Sequence, residues 1–84
     1  MIRILIVDGE RSSCAMLAES AIRLGYDVST RHTLSEGLEK IQSDPPDVVF
    51  IDAHLSDGSA LDILDVIHSA PSSPTVVIMT TCGT

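Results

Sequence analysis

Aromatic side chains are almost absent from this 84-residue chain, which has one Tyr, one Phe and no Trp. Its hydrophobic fraction is nonetheless 44%, which argues against disorder. A core without aromatic rings must be built from Ile, Val, Leu, Ala and Met, and such a core suits a sheet packed between helices. The composition therefore favours an α/β fold over an aromatic-rich β-sandwich.

Basic residues are scarce as well: five Lys and Arg stand against twelve Asp and Glu, for a formal net charge of −7. Such an acidic surface repels phosphate backbones and anionic lipid, which argues against direct nucleic-acid binding and against a membrane partner. The apolar runs 4–7, 48–51 and 76–79 are far too short to span a bilayer, and no signal peptide is recognisable. Cys14 and Cys82 lack metal-ligand spacing, so we expect a cytoplasmic protein with free thiols.

The chain alternates short β-rich runs with helical patterns. Four strands are predicted, at Ile2–Val7, Tyr26–Arg31, Val48–Ile51 and Thr75–Met79. Three helices are predicted between them: one capped by Ser12 or Ser13 and stopped by Gly25, one with a Thr33–Glu36 capping box, and one with a Ser59–Asp62 pair. Their inward residues are expected to be Cys14, Leu17, Ala18, Ala21 and Leu24, then Leu34, Leu38 and Ile41, then Leu61, Leu64 and Ile67.

This β-α-β-α-β-α-β order predicts a parallel sheet with helices on both faces. In such sheets, functional groups collect at the carboxyl ends of the strands. That rule directs attention to the loops 8–10, 52–57 and 80–84. Elsewhere the sequence has no Gly-rich phosphate loop, Ser-His-Asp set or zinc pattern.

Two aspartates directly follow buried aliphatic runs, Asp8 after Val7 and Asp52 after Ile51. If their strands are neighbours, the two carboxylates repel each other unless a cation or a proton lies between them. Mg²⁺ suits such hard oxygen ligands, because it takes one or two protein carboxylates together with water and phosphate. The alternative is that both residues simply end their strands and solubilise that edge of the sheet.

Three separated motifs resemble bacterial response-regulator receiver domains in order and spacing: Ile4–Glu10, Val48–Leu61 and Val77–Thr81. The resemblance implies a flavodoxin-like (CheY-like) doubly wound parallel sheet and a phosphorelay role. It further implies that Asp52 accepts a phosphoryl group from a histidine kinase and that Thr80 is the switch hydroxyl. Asp8, Asp52 and the backbone carbonyl of His54 match the family's Mg²⁺ ligands.

The chain departs from this family at the metal site and in its extent. Gly9 stands where the family has a second acid, and Glu10 is a candidate compensating acid one position later. A complete receiver continues through a fourth helix, a fifth strand ending in a catalytic lysine, and a fifth helix. Residues 1–84 match only the part before these elements, and Lys40, the single lysine, falls on the second helix. The sheet is therefore expected to stop after its fourth strand, in a fragment or a truncated receiver.

Two functions stay open at this point, beside a remote third, a fragment of a nucleotide- or flavin-binding enzyme. The first is a phosphoacceptor module, not an enzyme in its own right, that switches an output domain or a partner regulator, in transcription regulation. The second is a phosphorylation-independent pseudo-receiver that acts as a protein-interaction scaffold. An uncharged fourth strand at the sheet edge also predicts a homodimer.

Overall fold

The computed structural model describes residues 1–69 and 72–80 of the chain. Its main sheet consists of four parallel strands, β1 (Arg3–Val7), β2 (Asp27–Arg31), β3 (Val48–Asp52) and β6 (Thr75–Met79). They lie in the order β2-β1-β3-β6. The helices are α1 (Arg11–Arg23), α2 (Leu34–Ser43) and the short α3 (Leu64–His68), and a two-residue hairpin pairs β4 (His54–Leu55) with β5 (Gly58–Ser59). The predicted α/β parallel sheet is confirmed.

The central strands are buried on both faces because their side chains alternate between two apolar clusters. On one face, Leu5 and Val7 of β1 pack with α2, the segment 60–63 and α3. On the other face, Ile4 and Ile6 pack against Cys14 of α1. Cys14 is 1% exposed, as expected for a core residue, and burial raises the pKa of its thiol above the usual value. Cys82 and Thr81, the last residue of the third motif, lie outside the described residues.

The start of α1 differs from the expectation. The helix begins at Arg11, and neither Ser12 nor Ser13 is its cap, because Glu10 holds that position with no side-chain cap. The reason is the tight turn after β1, in which the amide of Glu10 donates to Asp8 Oδ1 over 3.0 Å. Farther along the helix, Leu17 is 43% exposed, and Leu24 at its end is 74% exposed, so the assignment of both to the core is wrong.

The third helix also begins differently. The Ser59–Asp62 capping box is confirmed, but it opens a 3₁₀ turn, Ala60–Ile63, before α3. A 3₁₀ turn has three residues per turn, so Ala60 and Ile63 share the inner face. Leu61, expected to point inward, is 68% exposed, and that prediction is wrong.

Paired charges surround the amino end of the sheet. Asp44, the residue that ends α2, accepts from the Arg3 guanidinium and from Lys40 Nζ, the latter over 2.9 Å. Hydrogen bonds from Arg3 and Lys40 lower the pKa of Asp44 to about 2. The backbone amide of Arg3 also donates to Asp47 Oδ2 over 2.8 Å. Lys40 is thus committed to the amino end, opposite the predicted site.

Candidate functional site

Four polar residues stand in a row at the carboxyl edge of the sheet, one from each strand. Following the strand order, they are His32 after β2, Asp8 after β1, Asp52 at the end of β3 and Thr80 after β6. The register places Val7 beside Ile51 and Asp52 beside Met79. The structure therefore brings three of the predicted site residues, Asp8, Asp52 and Thr80, to neighbouring strand ends.

Asp8 is a buried carboxylate, 7% exposed. Its Oδ1 accepts from the Glu10 amide, and its backbone amide donates to the Arg31 carbonyl over 3.0 Å. Its own carbonyl lies 2.9 Å from Nδ1 of His32. Asp8 is consequently held through both its backbone groups as well as its side chain.

Asp52 is half-buried, and the backbone around it is anchored on both sides. Its Oδ1 accepts from the amide of His54 over 3.2 Å. The next residue, Ala53, donates to the Met79 carbonyl over 2.9 Å and accepts from Ala60 over 3.0 Å. A partly accessible carboxylate on a fixed backbone is the geometry that an attacking nucleophile requires.

The loop after Asp52 folds into the β4–β5 hairpin, where the sequence predicted only a loop. Asp57 at its turn accepts from two amides in the first turn of α2, Leu34 over 2.8 Å and Ser35 over 3.0 Å. These hydrogen bonds lower the pKa of Asp57 below its usual value. Asp57 therefore fastens the loop that follows Asp52 to a neighbouring helix.

Gly9 and Glu10 occupy the turn where the family pattern has a second acid. The Glu10 carboxylate accepts from Ser12 Oγ over 3.1 Å. A Cβ at Gly9 would lie 3.6 Å from Leu55 Cδ2 and 3.8 Å from the His32 carbonyl, which are ordinary contact distances. A Cβ is therefore sterically tolerated at position 9.

The donor set at this edge consists of oxygen atoms, the ligands that Mg²⁺ prefers. Asp8 and Asp52 contribute carboxylates, and neither forms an ion pair with a basic side chain in residues 1–69 and 72–80. Within the same residues, no three His, Cys, Asp or Glu side chains cluster closely enough to hold a metal ion by themselves. The residues thus fit a cation that takes two carboxylates and completes its shell with backbone oxygen and water.

His32 also lies at this edge, although no motif in the sequence assigns it a role. It is the first residue after β2, in the place that Asp8 and Thr80 occupy after their strands. Its hydrogen bond to the Asp8 carbonyl connects two loops 24 residues apart. Attention to every residue that directly follows a strand would have found it.

Residues 4–84 match the response regulator receiver domain family. The acid tolerance regulatory protein ActR of Rhizobium meliloti is 31% identical over 80 residues, which is 95% of this chain and 41% of ActR. The transcriptional regulatory protein KdpE of Mycobacterium tuberculosis is 31% identical over 78 residues, 93% of this chain and 34% of KdpE. Among solved structures, the beryllofluoride-activated NtrC4 receiver domain dimer has a TM-score of 0.89 at 30% identity, covering all of this chain and 69% of that one.

The chain belongs to the response regulator receiver domain family. Its fold is CheY-like, since the chemotaxis response regulator CheY4 of Vibrio cholerae superposes with a TM-score of 0.89 at 23% identity, over 100% of this chain and 72% of that one. Receiver domains are phosphoacceptor modules of two-component signalling. The chain spans less than half the length of the curated relatives named above. No helix in the described ranges is long and apolar enough to cross a membrane.

Proposed function

We propose that Asp52 is the phosphoacceptor of this receiver and takes its phosphoryl group from a histidine kinase in the cytoplasm. The observation that carries the proposal is the placement of Asp52 beside Asp8, at neighbouring strand ends without a basic partner in the described chain. A carboxylate oxygen of Asp52 would attack the phosphorus of a phosphohistidine. The P–N bond breaks, and the imidazole leaves as a neutral ring, because its other nitrogen already carries a proton. An aspartyl phosphate forms on Asp52.

Asp8, Asp52 and the backbone carbonyl of His54 would hold the Mg²⁺ that receiver domains use. When bound, the ion neutralises the oxygens of the transferred phosphoryl group. Because Gly9 supplies no carboxylate, we expect weak binding, with Glu10 as the candidate substitute.

Thr80 is proposed as the switch residue. It follows β6 and is exposed, one residue beyond Met79, the register partner of Asp52. Its hydroxyl would donate to a phosphoryl oxygen on Asp52, and the phosphorylated form would then favour one of two packed states. An output domain or a partner regulator would read that state, in line with the transcriptional role of relatives such as KdpE.

Intact-mass measurement tests the phosphoacceptor. Incubated with a small acyl phosphate and Mg²⁺, the protein is expected to gain one phosphoryl group, and Asp52→Asn is expected to gain none. Asp65→Asn is the matched control, because Asp65 is an exposed carboxylate on α3. Equal incorporation in the wild type and Asp52→Asn would contradict the assignment.

A second function, the phosphorylation-independent scaffold, is favoured by one observation. Gly9 stands where the family has an acid, so the site has one carboxylate fewer. The scaffold predicts that a binding partner is retained unchanged by Asp52→Asn. The phosphoacceptor predicts that the same substitution removes the effect of the acyl phosphate on that partner.

We also propose a second copy of the chain as a partner, through the uncharged strand β6. Val77 on this strand is an apolar side chain that is 40% exposed within the described residues. The similar NtrC4 receiver, of which this chain covers 69%, is described as a dimer. Sedimentation should show a dimer whose fraction rises with concentration and falls in Val77→Lys. Val66→Lys on α3 is the control, since Val66 is 44% exposed and lies beside Leu38 and Gln42 of α2.

A further inference from the structure

The ring of His32 connects the end of β2 to the loop after β1. Its Nδ1 lies 2.9 Å from the carbonyl oxygen of Asp8. A carbonyl oxygen can only accept, so Nδ1 must carry the proton and donate it. The contact thus fixes the tautomer of His32 as well as the position of the Asp8 carbonyl.

This hydrogen bond is one of a pair that holds Asp8 against β2. The amide of Asp8 donates to the Arg31 carbonyl over 3.0 Å, so both backbone groups of Asp8 are tied to consecutive residues at the end of β2. His32 is itself tied to α2, because its amide donates to Glu36 Oε1 over 3.3 Å. The backbone of His32 is therefore fixed by α2, independently of the Asp8 loop that the His32 ring contacts.

Support of this kind matters more here because glycine follows Asp8. A glycine has more accessible backbone conformations than any other residue, so the turn at Gly9 is free to reorient unless another contact restrains it. The Asp8 carbonyl is the atom just before Gly9, and His32 restrains that atom. The side chain of Asp8 then keeps its direction toward the edge it shares with Asp52.

We infer that His32 is a positioning residue, whose ring N–H holds Asp8 in place for cation binding beside the phosphoacceptor. The inference rests on the proposed function, since it assigns His32 to the same site. His32 acts through Asp8 and has no contact with the reacting atoms. Its contribution is the orientation of one carboxylate before the cation arrives.

Two substitutions distinguish the contribution of the N–H donor from that of the ring itself. His32→Phe keeps a planar ring of similar size but removes the N–H, whereas His32→Asn places an amide donor near the position of Nδ1. We expect His32→Phe to weaken Mg²⁺ affinity about fivefold, as for the loss of one neutral hydrogen bond. Phosphorylation by the acyl phosphate should slow by a similar factor at low Mg²⁺ and recover at saturating Mg²⁺. His32→Asn should restore both values.

Two outcomes of these titrations would overturn the inference. One is a His32→Phe protein with unchanged Mg²⁺ affinity. The other is a His32→Asn protein as weak as His32→Phe, which would show that ring packing, and not the donor, is what the site needs.

Nitrogen NMR of the wild type keeps this test separate from the proposed function. A His32 ring protonated at Nδ1, with a Glu10 amide that loses exchange protection in His32→Phe and retains it in His32→Asn, supports the inference even if Asp52 takes no phosphoryl group. A ring protonated only at Nε2 overturns it even if Asp52 is phosphorylated. Absence of phosphoryl incorporation in the wild type would count against the proposed function alone.

Discussion

Asp27 and Asp44 at the amino end of the sheet are paired with cations, whereas Asp8 and Asp52 at the carboxyl end have no such partner within residues 1–69 and 72–80. Asp44 accepts from Arg3 and Lys40 together. Asp8 and Asp52 accept only amides of their own loops, over 3.0 and 3.2 Å, in the part of the chain that the structure describes. The same side chain is thus used in two opposite environments about one strand length apart.

This difference distinguishes carboxylates that stabilise the fold from carboxylates that are available to bind a ligand. A carboxylate with a cationic partner favours the folded state, although only modestly where it is half exposed. Two carboxylates at neighbouring strand ends repel each other, and a bound cation relieves that repulsion. A fold under selection for stability alone would pair or remove them, so the unpaired end is where a ligand is expected.

The largest expected effect comes from adding a carboxylate at the unpaired end. Gly9→Asp should tighten Mg²⁺ binding by more than about tenfold, roughly 1.4 kcal/mol, because it restores an acid that the family pattern has. The Cβ of the new side chain fits, since a Cβ there makes only ordinary contacts. Calorimetric titration is the measurement, and Gly9→Asn is the matched neutral control. Unchanged affinity would mean that Glu10 already fills this place or that no cation binds.

A smaller effect, opposite in sign at the two ends, is expected from neutralising one aspartate. In metal-free buffer, Asp8→Asn should raise the free energy of unfolding by roughly 0.2–1 kcal/mol, because it removes a like-charge neighbour of Asp52. The amide keeps an oxygen that can accept from Glu10. Asp44→Asn should lower the stability, because it leaves Arg3 and Lys40 without their shared partner. Urea denaturation measures both.

Mg²⁺ sharpens the same comparison. Added ion should raise the urea midpoint of the wild type and of Asp44→Asn, since a ligand that binds only the folded state stabilises it. It should leave Asp8→Asn nearly unchanged. A shift of the same sign and size for both variants would show that the two ends do not differ in the way described.

The smallest expected effect is the loss of stability in acid that comes from Asp44 at the amino end of the sheet. The pKa of Asp44 is lowered from 3.8 to about 2 in the folded protein. A carboxyl whose pKa is depressed by folding stabilises the protein above its unfolded pKa, and that contribution is lost as pH falls through the folded pKa. Urea midpoints between pH 5 and pH 2 should therefore fall less steeply in Asp44→Asn than in the wild type. Equal slopes would contradict a role for this ion pair.

Much of the fold could be predicted because its elements have local causes. The apolar runs 4–7 and 48–51 marked β1 and β3. The Thr33 cap of α2 was also visible in the sequence, and its hydroxyl accepts from the Glu36 amide over 3.2 Å. The second hydrogen bond of the predicted capping box does not form, since the Glu36 carboxylate accepts from the amide of His32 instead of the amide of Thr33. That choice depends on the β2–α2 junction, which the spacing of two residues does not describe.

The errors arose where tertiary contacts decided between similar local options. Leu61 fits a helical stripe equally well, but a 3₁₀ turn gives the inner face to Ala60 and Ile63. At the site, Asp8 and Asp52 could be predicted from the sequence because each directly follows a buried apolar run. His32 follows a more polar strand, and its link to Asp8 exists only once β1 and β2 pair in register.

The Asp57 cap on α2 has a consequence for the order of folding. A helix of ten residues is marginal by itself, and the first turn of α2 receives two acceptor oxygens from a residue up to 23 positions away. Closing such a loop has an entropic cost that must be met before the contact forms. The cap should therefore form after β3 has docked beside β1, late on the folding path. Contacts made after the transition state restrain unfolding more than they speed folding. Asp57→Ala removes this cap from α2. The substitution should therefore shorten the lifetime of the native state while leaving the folding rate almost unchanged.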